Sequence, residues 1–323
     1  MVEVWRGAFV ESQHRGHAAI VEADGTLRAS WGSPDAVIYP RSSAKMLQAL
    51  PLVESGAAAA LGLRENHLAL ACASHQGSPL HTDLVSDWLT NIGRDAGDLR
   101  CGPQPPRLSG DRQALRDAGQ SLSRVHNTCS GKHTGFLTVA GHIGGGLDYV
   151  DVDHPVQKSV KAAFEEMTDV ASAGWAPDGC SAPNFTTTVR GLANAMAKMA
   201  APGSGVRGDA ARSLVQAMIA RPDLVAGEQR ACTDLMEAMD GVAVKTGAEG
   251  VFVAILPAAG LGVALKIEDG ATRAAEAAIA GMLCSLGALS PDHPVAKRLM
   301  AGAIRNWDGI ETGRIGLAER FLA

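Results

Sequence analysis

The sequence has few aromatic residues and no concentration of positive charge. Aromatic side chains make up 4% of its 323 residues, and the formal net charge is -5. Proteins that bind nucleic acid use basic patches against the phosphates and aromatic rings for stacking on the bases. The sequence therefore predicts no nucleic-acid partner.

Long apolar runs are also missing. The longest, from Val251 to Leu265, is interrupted by Pro257, Gly260 and Gly262, whereas a membrane helix needs about 20 apolar residues. The run therefore indicates two strands around a turn, and no membrane contact is predicted. The first residues do not show a basic segment followed by an apolar one, the pattern of a secretory signal. We therefore expect a cytoplasmic protein.

The six cysteines include no Cys-x-x-Cys pair. Cysteines spread over a large chain in a reducing compartment are more often thiols, metal ligands or nucleophiles than members of a disulfide framework. Hydrophobic residues make up 46% of the sequence, which is enough to build a core. The sequence therefore predicts a folded protein with free thiols.

Strand patterns lie at both ends of the chain and helical patterns between them. The strand patterns cover residues 2–10, 18–22 and 26–31, and return at 242–244, 251–256 and 261–267. This order predicts an α+β fold in which an antiparallel sheet is built from the N- and C-terminal segments, with an inserted helical region. We expect a single domain over residues 1–323, with sheet subregions at about 1–40 and 240–323 and a helical subregion at about 80–239.

Residues 39–51 predict the start of a helix that carries a reactive pair. Pro40 disfavours a helical residue before it, and Ser42 or Ser43 can cap the helix that follows. On a helix, Ser42 and Lys45 share a face, while Ser43 and Lys45 do not. A serine becomes a nucleophile when a lysine held neutral removes its proton. Ser42 and Lys45 are therefore a candidate catalytic pair, although this spacing also occurs by chance.

Two later features extend this pattern. Ser74 ends an apolar segment, and Lys245-Thr246-Gly247 lies on the first of the returning strands. In this order, Ser-x-x-Lys, a second serine and Lys-Thr-Gly match the motif set of penicillin-binding proteins and serine β-lactamases. That set has asparagine two residues after the second serine, where this sequence has Gln76, which argues against β-lactam chemistry. The alternative for Lys245 is an ordinary exposed strand end.

Two cysteines far apart in the chain are candidate zinc ligands. Cys129 and Cys180 each offer a soft thiolate, but two thiolates do not complete a tetrahedral site. Lys132 is an awkward third ligand because it must lose a proton, whereas the neighbouring His133 needs no such loss. The alternative is that both cysteines are ordinary buried thiols.

Together these stretches resemble the rhizobial-type (class 3) L-asparaginase family. The likeness covers nearly the whole chain, and Cys-Ser-Gly-Lys-His and Asp-Gly-Cys are its most specific blocks. The matching stretches lie at 10–16, 39–45, 72–75, 126–133, 178–183 and 245–250.

The resemblance implies an amidohydrolase that converts L-asparagine to L-aspartate and ammonia on a serine β-lactamase-like fold, commonly as a homodimer. It implies two Ser-Lys pairs, Ser42 with Lys45 and Ser74 with Lys245. It also implies a zinc ion, Zn²⁺, held by Cys129, Lys132, Cys180 and a water. The positions expected around the substrate or metal are Arg41, His133 and Asp178.

The mechanism expected from these residues is acyl transfer. Lys45 takes the proton of Ser42, which attacks the side-chain amide of asparagine; ammonia leaves, and water hydrolyses the acyl-serine. Ser74 with Lys245 would relay protons. One alternative is a related serine amidohydrolase, either a glutaminase or a β-lactam-type peptidase. The other is a zinc or amino-acid binding protein without catalysis.

Overall fold

The computed structural model describes residues 1–322 as strands joined by many short helices. Thirteen strands occur in this range: β1 Val2–Arg6, β2 Phe9–His14, β3 Gly16–Glu22, β4 Leu27–Trp31, β5 Val37–Ile38, β6 Trp175–Pro177, β7 Pro183–Phe185, β8 Thr187–Thr188, β9 Ala243–Thr246, β10 Val251–Leu256, β11 Leu261–Ile267, β12 Ala303–Arg305 and β13 Glu311–Leu317. The α-helices of the same range are α1 Lys45–Gln48, α2 Leu50–Glu54, α3 Ala57–Ala60, α4 Glu65–Ala71, α5 Pro79–Asn91, α6 Ser109–Asp117, α7 Ser130–His142, α8 Pro155–Thr168, α9 Val189–Ala200, α10 Val206–Ala220, α11 Pro222–Val225, α12 Ala231–Ala238, α13 Thr272–Ser285 and α14 Pro294–Ala301. Short 3-10 helices lie at Arg41–Ala44, Ala96–Asp98, Arg124–His126 and Pro257–Ala259.

The chain divides into two units, each assembled from separate segments. The sheet unit contains Met1–Ser43, Thr187–Ala201 and, among the described residues, 234–322. The helical unit contains Ala44–Thr186 and Pro202–Thr233. The expectation of one domain over the whole chain stays a prediction.

The sheet unit carries two large antiparallel sheets and the small two-stranded pair β5-β8. One large sheet has the strand order β12-β13-β1-β2, and the other has the order β4-β3-β11-β10-β9. Each large sheet pairs an N-terminal with a C-terminal strand, because Val2 pairs with Leu317 and Ala19 pairs with Ala264. The predicted α+β class, with strands from both ends and helices between, is confirmed. The terminal strands divide into two sheets rather than the single sheet that the sequence predicted.

The core of the second sheet lies around β10 and β11. All six residues of β10 are buried, as expected for a strand covered on both faces. Helix α9 packs against β11, and a Cβ added to Gly262 would lie 2.1 Å from the Ala193 carbonyl oxygen. Glycine at position 262 therefore allows the helix and the strand to approach each other closely.

The first strand ends earlier than the sequence predicted. Residues 2–10 were expected to form one strand, but β1 ends at Arg6, and β2 begins at Phe9 and runs antiparallel to it. The two-residue turn Gly7–Ala8 reverses the chain, because glycine tolerates the left-handed backbone that such a turn requires. The apolar pattern alone could not distinguish one long strand from a hairpin.

The helical unit is built around contacts of α4 with α7 and α10 and of α8 with α1 and α2. Helix α8 begins at Pro155, where proline fits the first turn, and the His154 ring accepts a hydrogen bond from the Val156 amide at 3.2 Å. Its Val160 and Phe164 are buried. Within residues 1–322, no helix has the length and apolar character needed to span a membrane.

Candidate active site

The segment that carries Ser42 forms a tight turn before the helix. Residues Arg41–Ala44 form a 3-10 helix, and α1 begins at Lys45. The prediction that Ser42 or Ser43 caps this helix is wrong, because the N-cap residue is Ala44 and the Ser43 hydroxyl donates to the Pro40 carbonyl at 2.7 Å. Arg41 has a φ of 54°, in the left-handed region that residues other than glycine seldom adopt. Such backbone strain is often found at functional sites.

Within the sheet unit, the end of β9 lies against this turn. A Cβ added to Gly247 would lie 2.7 Å from the Pro40 carbonyl oxygen and 3.2 Å from the Ser43 amide nitrogen. Lys245 is fully buried, and its Nζ donates to the Thr246 carbonyl at 3.0 Å. The alternative reading of Lys245 as an exposed strand end is therefore wrong. The sheet unit brings the Lys-Thr-Gly stretch against the turn that contains Ser42.

In the helical unit, Lys45 reaches Ser74. The Lys45 side chain is fully buried, and its Nζ lies 3.1 Å from the Ser74 Oγ and 3.4 Å from the Thr128 carbonyl oxygen. It also donates to the Ala73 carbonyl. The amine thus has three oxygen acceptors within reach, the Ala73 and Thr128 carbonyls and the Ser74 hydroxyl. The geometry suits proton exchange between Lys45 and Ser74.

Backbone hydrogen bonds fix the segment that presents Ser74. The chain leaves α4 at Ala71, and the Ser74 amide donates to the Val225 carbonyl at 2.9 Å. The His75 amide donates to the Thr128 carbonyl at 3.2 Å. A buried segment outside regular structure must satisfy its polar backbone groups in this way. Hydrogen bonds to two separate segments, at Val225 and at Thr128, therefore fix the position of Ser74.

Two stacked histidines adjoin Ser74. The rings of His75 and His81 lie 4.9 Å apart with an interplanar angle of 11°. His75 Nδ1 accepts the Gly77 amide at 3.1 Å, and its Nε2 lies 2.8 Å from the Ser130 Oγ. Burial lowers the pKa of both rings, that of His81 to about 4. Both rings are therefore neutral at pH 7.

Two cysteines and a lysine converge in the helical unit. Lys132, in the first turn of α7, donates from Nζ to the Cys180 Sγ at 3.2 Å. Cys129 precedes α7, and its thiol is hydrogen-bonded to Cys180. Cys180 lies in the tight turn between β6 and β7. Candidate ligands some fifty residues apart in sequence are thus neighbours in the fold.

The pKa values of the two cysteines in this cluster are shifted in opposite directions. The hydrogen bond from Cys129 and the Lys132 cation hold the pKa of Cys180 well below its usual range. The same hydrogen bond, with burial, raises the pKa of Cys129 to about 11. Burial alone would lower the pKa of Lys132, but the Cys180 and Cys129 sulfurs outweigh it and raise that pKa. The cluster therefore favours negative charge on the Cys180 sulfur, a proton on the Cys129 sulfur and positive charge on the Lys132 amine.

This donor set fits zinc. Two thiolates are ligands that Zn²⁺ prefers, and the Lys132 nitrogen, 3.2 Å from the Cys180 sulfur, can join them once it loses its proton. Among the described residues, no three His, Cys, Asp or Glu side chains are grouped as a metal site. The expected set contains only two such residues, because its third protein ligand is Lys132. Deprotonation of Cys129 and Lys132 would complete the donor set.

The remaining expected residues of the helical unit adjoin this cluster. Asp178 lies on the same turn as Cys180, and its Oδ1 accepts the Gly179 amide at 2.7 Å. His133 follows Lys132 on α7, and its Nδ1 lies 2.9 Å from the Tyr149 hydroxyl. Sequence reasoning missed Tyr149, which stands sixteen residues after His133 without any motif around it.

The structure thus places the expected residues in two groups. The helical unit brings together Lys45, Ser74, Cys129, Lys132, His133, Asp178 and Cys180, and the Lys45 charge acts on the pKa of Cys129, His133 and Cys180. The sheet unit holds Arg41, Ser42 and Lys245. The pairings of Ser42 with Lys45 and of Ser74 with Lys245 stay predictions.

Comparison with known protein families identifies the chain. The profile of the L-asparaginase II family matches residues 2–317. The chain belongs to the L-asparaginase II family. The resemblance seen in the sequence motifs is thereby confirmed, and this L-asparaginase II family member is an asparaginase-type amidohydrolase acting on a small-molecule amide.

Solved structures similar to this L-asparaginase II family member include a β-lactamase and a penicillin-binding protein homologue. A β-lactamase from Mycobacterium bovis is 14% identical with a TM-score of 0.46, and the match covers 85% of this chain and 95% of that one. An octameric penicillin-binding protein homologue from Pyrococcus abyssi is 12% identical with a TM-score of 0.39, and the match covers 95% and 84%. A search of curated proteins finds no match.

Proposed function

We propose that the protein hydrolyses L-asparagine to L-aspartate and ammonia through an acyl-enzyme formed on Ser42. The observation that carries the Ser-Lys chemistry of this proposal is the contact between the Lys45 Nζ and the Ser74 Oγ, 3.1 Å apart in a buried polar site. The choice of Ser42 as the nucleophile rests on its Ser-x-x-Lys spacing with Lys45. A serine hydroxyl within hydrogen-bonding distance of a buried amine is the arrangement that activated nucleophiles need. In a member of an asparaginase family, it supports acyl transfer from an amide.

In the proposed reaction, Lys45 accepts the proton of the Ser42 hydroxyl while Oγ bonds to the side-chain amide carbon of asparagine. The carbon–nitrogen bond then breaks, and the proton held by Lys45 goes to the departing ammonia. Water attacks the resulting aspartyl ester, and its proton passes through Lys45 back to Ser42. Ser74, in contact with Lys45 Nζ, exchanges protons with it, and Lys245 completes the relay.

Cys129, Lys132 and Cys180 would hold Zn²⁺. When bound, zinc would supply a fixed positive charge that holds a substrate oxygen. Arg41 would bind a carboxylate of the substrate, because a guanidinium pairs with carboxylates through two hydrogen bonds. Asp178 would bind the ammonium group, and His133 would donate a hydrogen bond to the substrate. We also propose that the protein forms a homodimer and that it is located in the cytoplasm.

Ammonia release from purified protein tests the proposal. We expect turnover of asparagine, with kcat/KM for glutamine about tenfold to one hundredfold lower, because one extra methylene changes binding by about 1–3 kcal/mol. A chelator should raise KM for asparagine. A higher kcat/KM for glutamine than for asparagine would favour a glutaminase, and tight asparagine binding without turnover would favour a binding protein. No ammonia with or without chelator would end the asparaginase proposal.

A further inference from the structure

His133 has one ring nitrogen paired and the other unpaired. The residue has no exposed surface, and its Nδ1 lies 2.9 Å from the Tyr149 hydroxyl oxygen. Its Nε2 is buried and has no hydrogen-bond partner in the part of the chain that the structure describes. Buried ring nitrogens are normally paired, so an unpaired one calls for an explanation.

The donors and acceptors around the Tyr149 hydroxyl determine which nitrogen of the His133 ring carries the hydrogen. The Tyr149 oxygen already accepts the backbone N–H of Arg100, at 2.6 Å. The phenol hydrogen then has one acceptor within reach, which is the His133 Nδ1. If Nδ1 carried the hydrogen instead, the phenol hydrogen would be left without an acceptor in a buried site. The ring therefore carries its hydrogen on Nε2.

Tyr149 is itself held rigidly. Its side chain has no exposed surface, and its carbonyl accepts a hydrogen bond from the Gln157 Nε2 at 2.8 Å. The rings of His133 and Phe136 lie against it, with centroids 5.5 and 6.1 Å away. The ring contacts and the Arg100 N–H fix the phenol, which can therefore hold the orientation of its partner ring, while the Gln157 bond anchors only the Tyr149 backbone.

The position of His133 links this pair to the active site. The residue follows Lys132 on α7, and its amide donates to the Cys129 carbonyl at 3.0 Å. His133 is thus the residue after one proposed zinc ligand and lies one helical turn from another. A buried N–H donor kept free at such a place suits an acceptor atom that arrives with the substrate.

We propose that Tyr149 is a positioning residue that keeps His133 in the Nε2–H tautomer, so that this N–H donates to an oxygen of the bound substrate. This proposal rests on the proposed asparaginase function. The oxygen can come from the α-carboxylate or from the side-chain carbonyl of asparagine, because both are hydrogen-bond acceptors.

The first test measures the tautomer directly and needs no turnover. In ¹⁵N-histidine-labelled protein as purified, two-bond ¹H–¹⁵N spectra distinguish Nδ1–H from Nε2–H rings, and a His133→Gln variant assigns the signal. We expect Nε2–H in the wild type and a mixture of tautomers in Tyr149→Phe. An Nδ1–H ring in the wild type would overturn the proposal, even if the protein hydrolyses asparagine and Tyr149→Phe does not fold.

The second test is kinetic. Tyr149→Phe keeps the ring and removes the hydroxyl, and we expect kcat/KM for asparagine to fall about tenfold, as for the loss of one hydrogen bond. A rise in KM with kcat within about twofold would assign the N–H to the α-carboxylate. A fall in kcat with KM unchanged would assign it to the carbonyl oxygen, where charge develops.

Gln157→Met is the matched control, because it removes the hydrogen bond to the Tyr149 carbonyl and leaves the phenol in place. We expect it to lower thermal stability as Tyr149→Phe does, without changing the His133 tautomer or the kinetics. Equal kinetic losses in both variants would show that Tyr149 acts only through stability and would overturn the positioning role. If the wild type shows the Nε2–H ring but no asparagine turnover, the proposed function fails while the tautomer assignment stands.

Discussion

Lysine is seldom fully buried unless it is paired, and this chain buries three lysines that the sequence had singled out. Lys45 and Lys245 have no exposed surface, and Lys132 is 2% exposed. Each donates to at least one protein atom: Lys45 to oxygens that include the Ser74 hydroxyl, Lys132 to Cys180, and Lys245 to a backbone carbonyl. Such burial costs free energy that a purely structural role would not require, which supports a role in chemistry.

Protonation of a single buried residue, His81, is expected to make the free energy of unfolding depend on pH. Burial lowers its pKa to about 4, and its Nε2 donates to the Asp223 carbonyl. Because the unfolded state binds the proton first, this contribution is full above about pH 6.5 and is lost as the pH falls through about 4. Urea unfolding should therefore give a free energy about 1–3 kcal/mol lower at pH 5 than at pH 7, with His75 adding in the same direction.

A His81→Gln variant provides the control for this prediction, because it cannot take up the proton. We expect it to be less stable than the wild type at pH 7 and to lose less stability between pH 7 and pH 5. If both proteins lose the same amount, the pH dependence comes from other groups.

The zinc proposal is also tested at single residues. We expect Cys180→Ser and Cys129→Ser to lose most of the zinc that the wild type retains after dialysis, because each removes one of three protein ligands. Elemental analysis of dialysed protein measures this. Cys284→Ser, which changes a thiol on α13 in the sheet unit, is the matched control and should keep wild-type zinc. Equal zinc content in all four proteins would contradict the ligand set.

Among elements, the contact between the end of β9 and the turn at Arg41–Ala44 has the clearest consequence. Gly247→Ala would push a Cβ to 2.7 Å from the Pro40 carbonyl oxygen and so displace the turn that holds Ser42. A displacement of about 1 Å at a reacting group can cost up to about one hundredfold in rate. We expect kcat/KM for asparagine to fall at least about tenfold and the unfolding free energy by about 1–3 kcal/mol.

Gly316→Ala in β13 is the matched control, because an added Cβ there meets nothing within 4 Å. It should leave both quantities close to the wild type. If the two variants behave alike, the contact of β9 with the turn does not position Ser42.

The elements themselves show what sequence patterns can predict. The returning strands around residues 243–267 were predicted within one or two residues, because long apolar runs broken by turn residues are a strong local signal. The Gly7–Ala8 turn was missed because apolar residues continue on both sides of it. The start of α1 was placed too early, because Ser43 uses its hydroxyl inside the turn rather than on the helix. Residue types alone do not show which of several nearby backbone groups a serine hydroxyl will bond.

For the molecule as a whole, the fold class could be predicted from the sequence, but which distant segments pack together could not. Strands at both chain ends with helices between them indicated α+β, and the family match over residues 2–317 agrees with the sequence motifs. The return of α9 to the sheet unit has no sequence signal, because the helix packs on β11 some sixty residues later in the chain. Tyr149 escaped prediction for the same reason, since its partners are set by tertiary structure. Motifs identified reactive residues, and the fold supplied those that orient them.

The central claim is that Ser42 forms the acyl-enzyme, and turnover by Ser42→Ala tests it most directly. We predict that ammonia release from asparagine falls at least about one thousandfold, and that a reactive diazoketone analogue of asparagine labels the wild type at Ser42 by mass spectrometry. Ser43→Ala changes the neighbouring serine, whose hydroxyl donates to the Pro40 carbonyl, and should stay within about tenfold of the wild type. Near-normal turnover by Ser42→Ala would contradict the account.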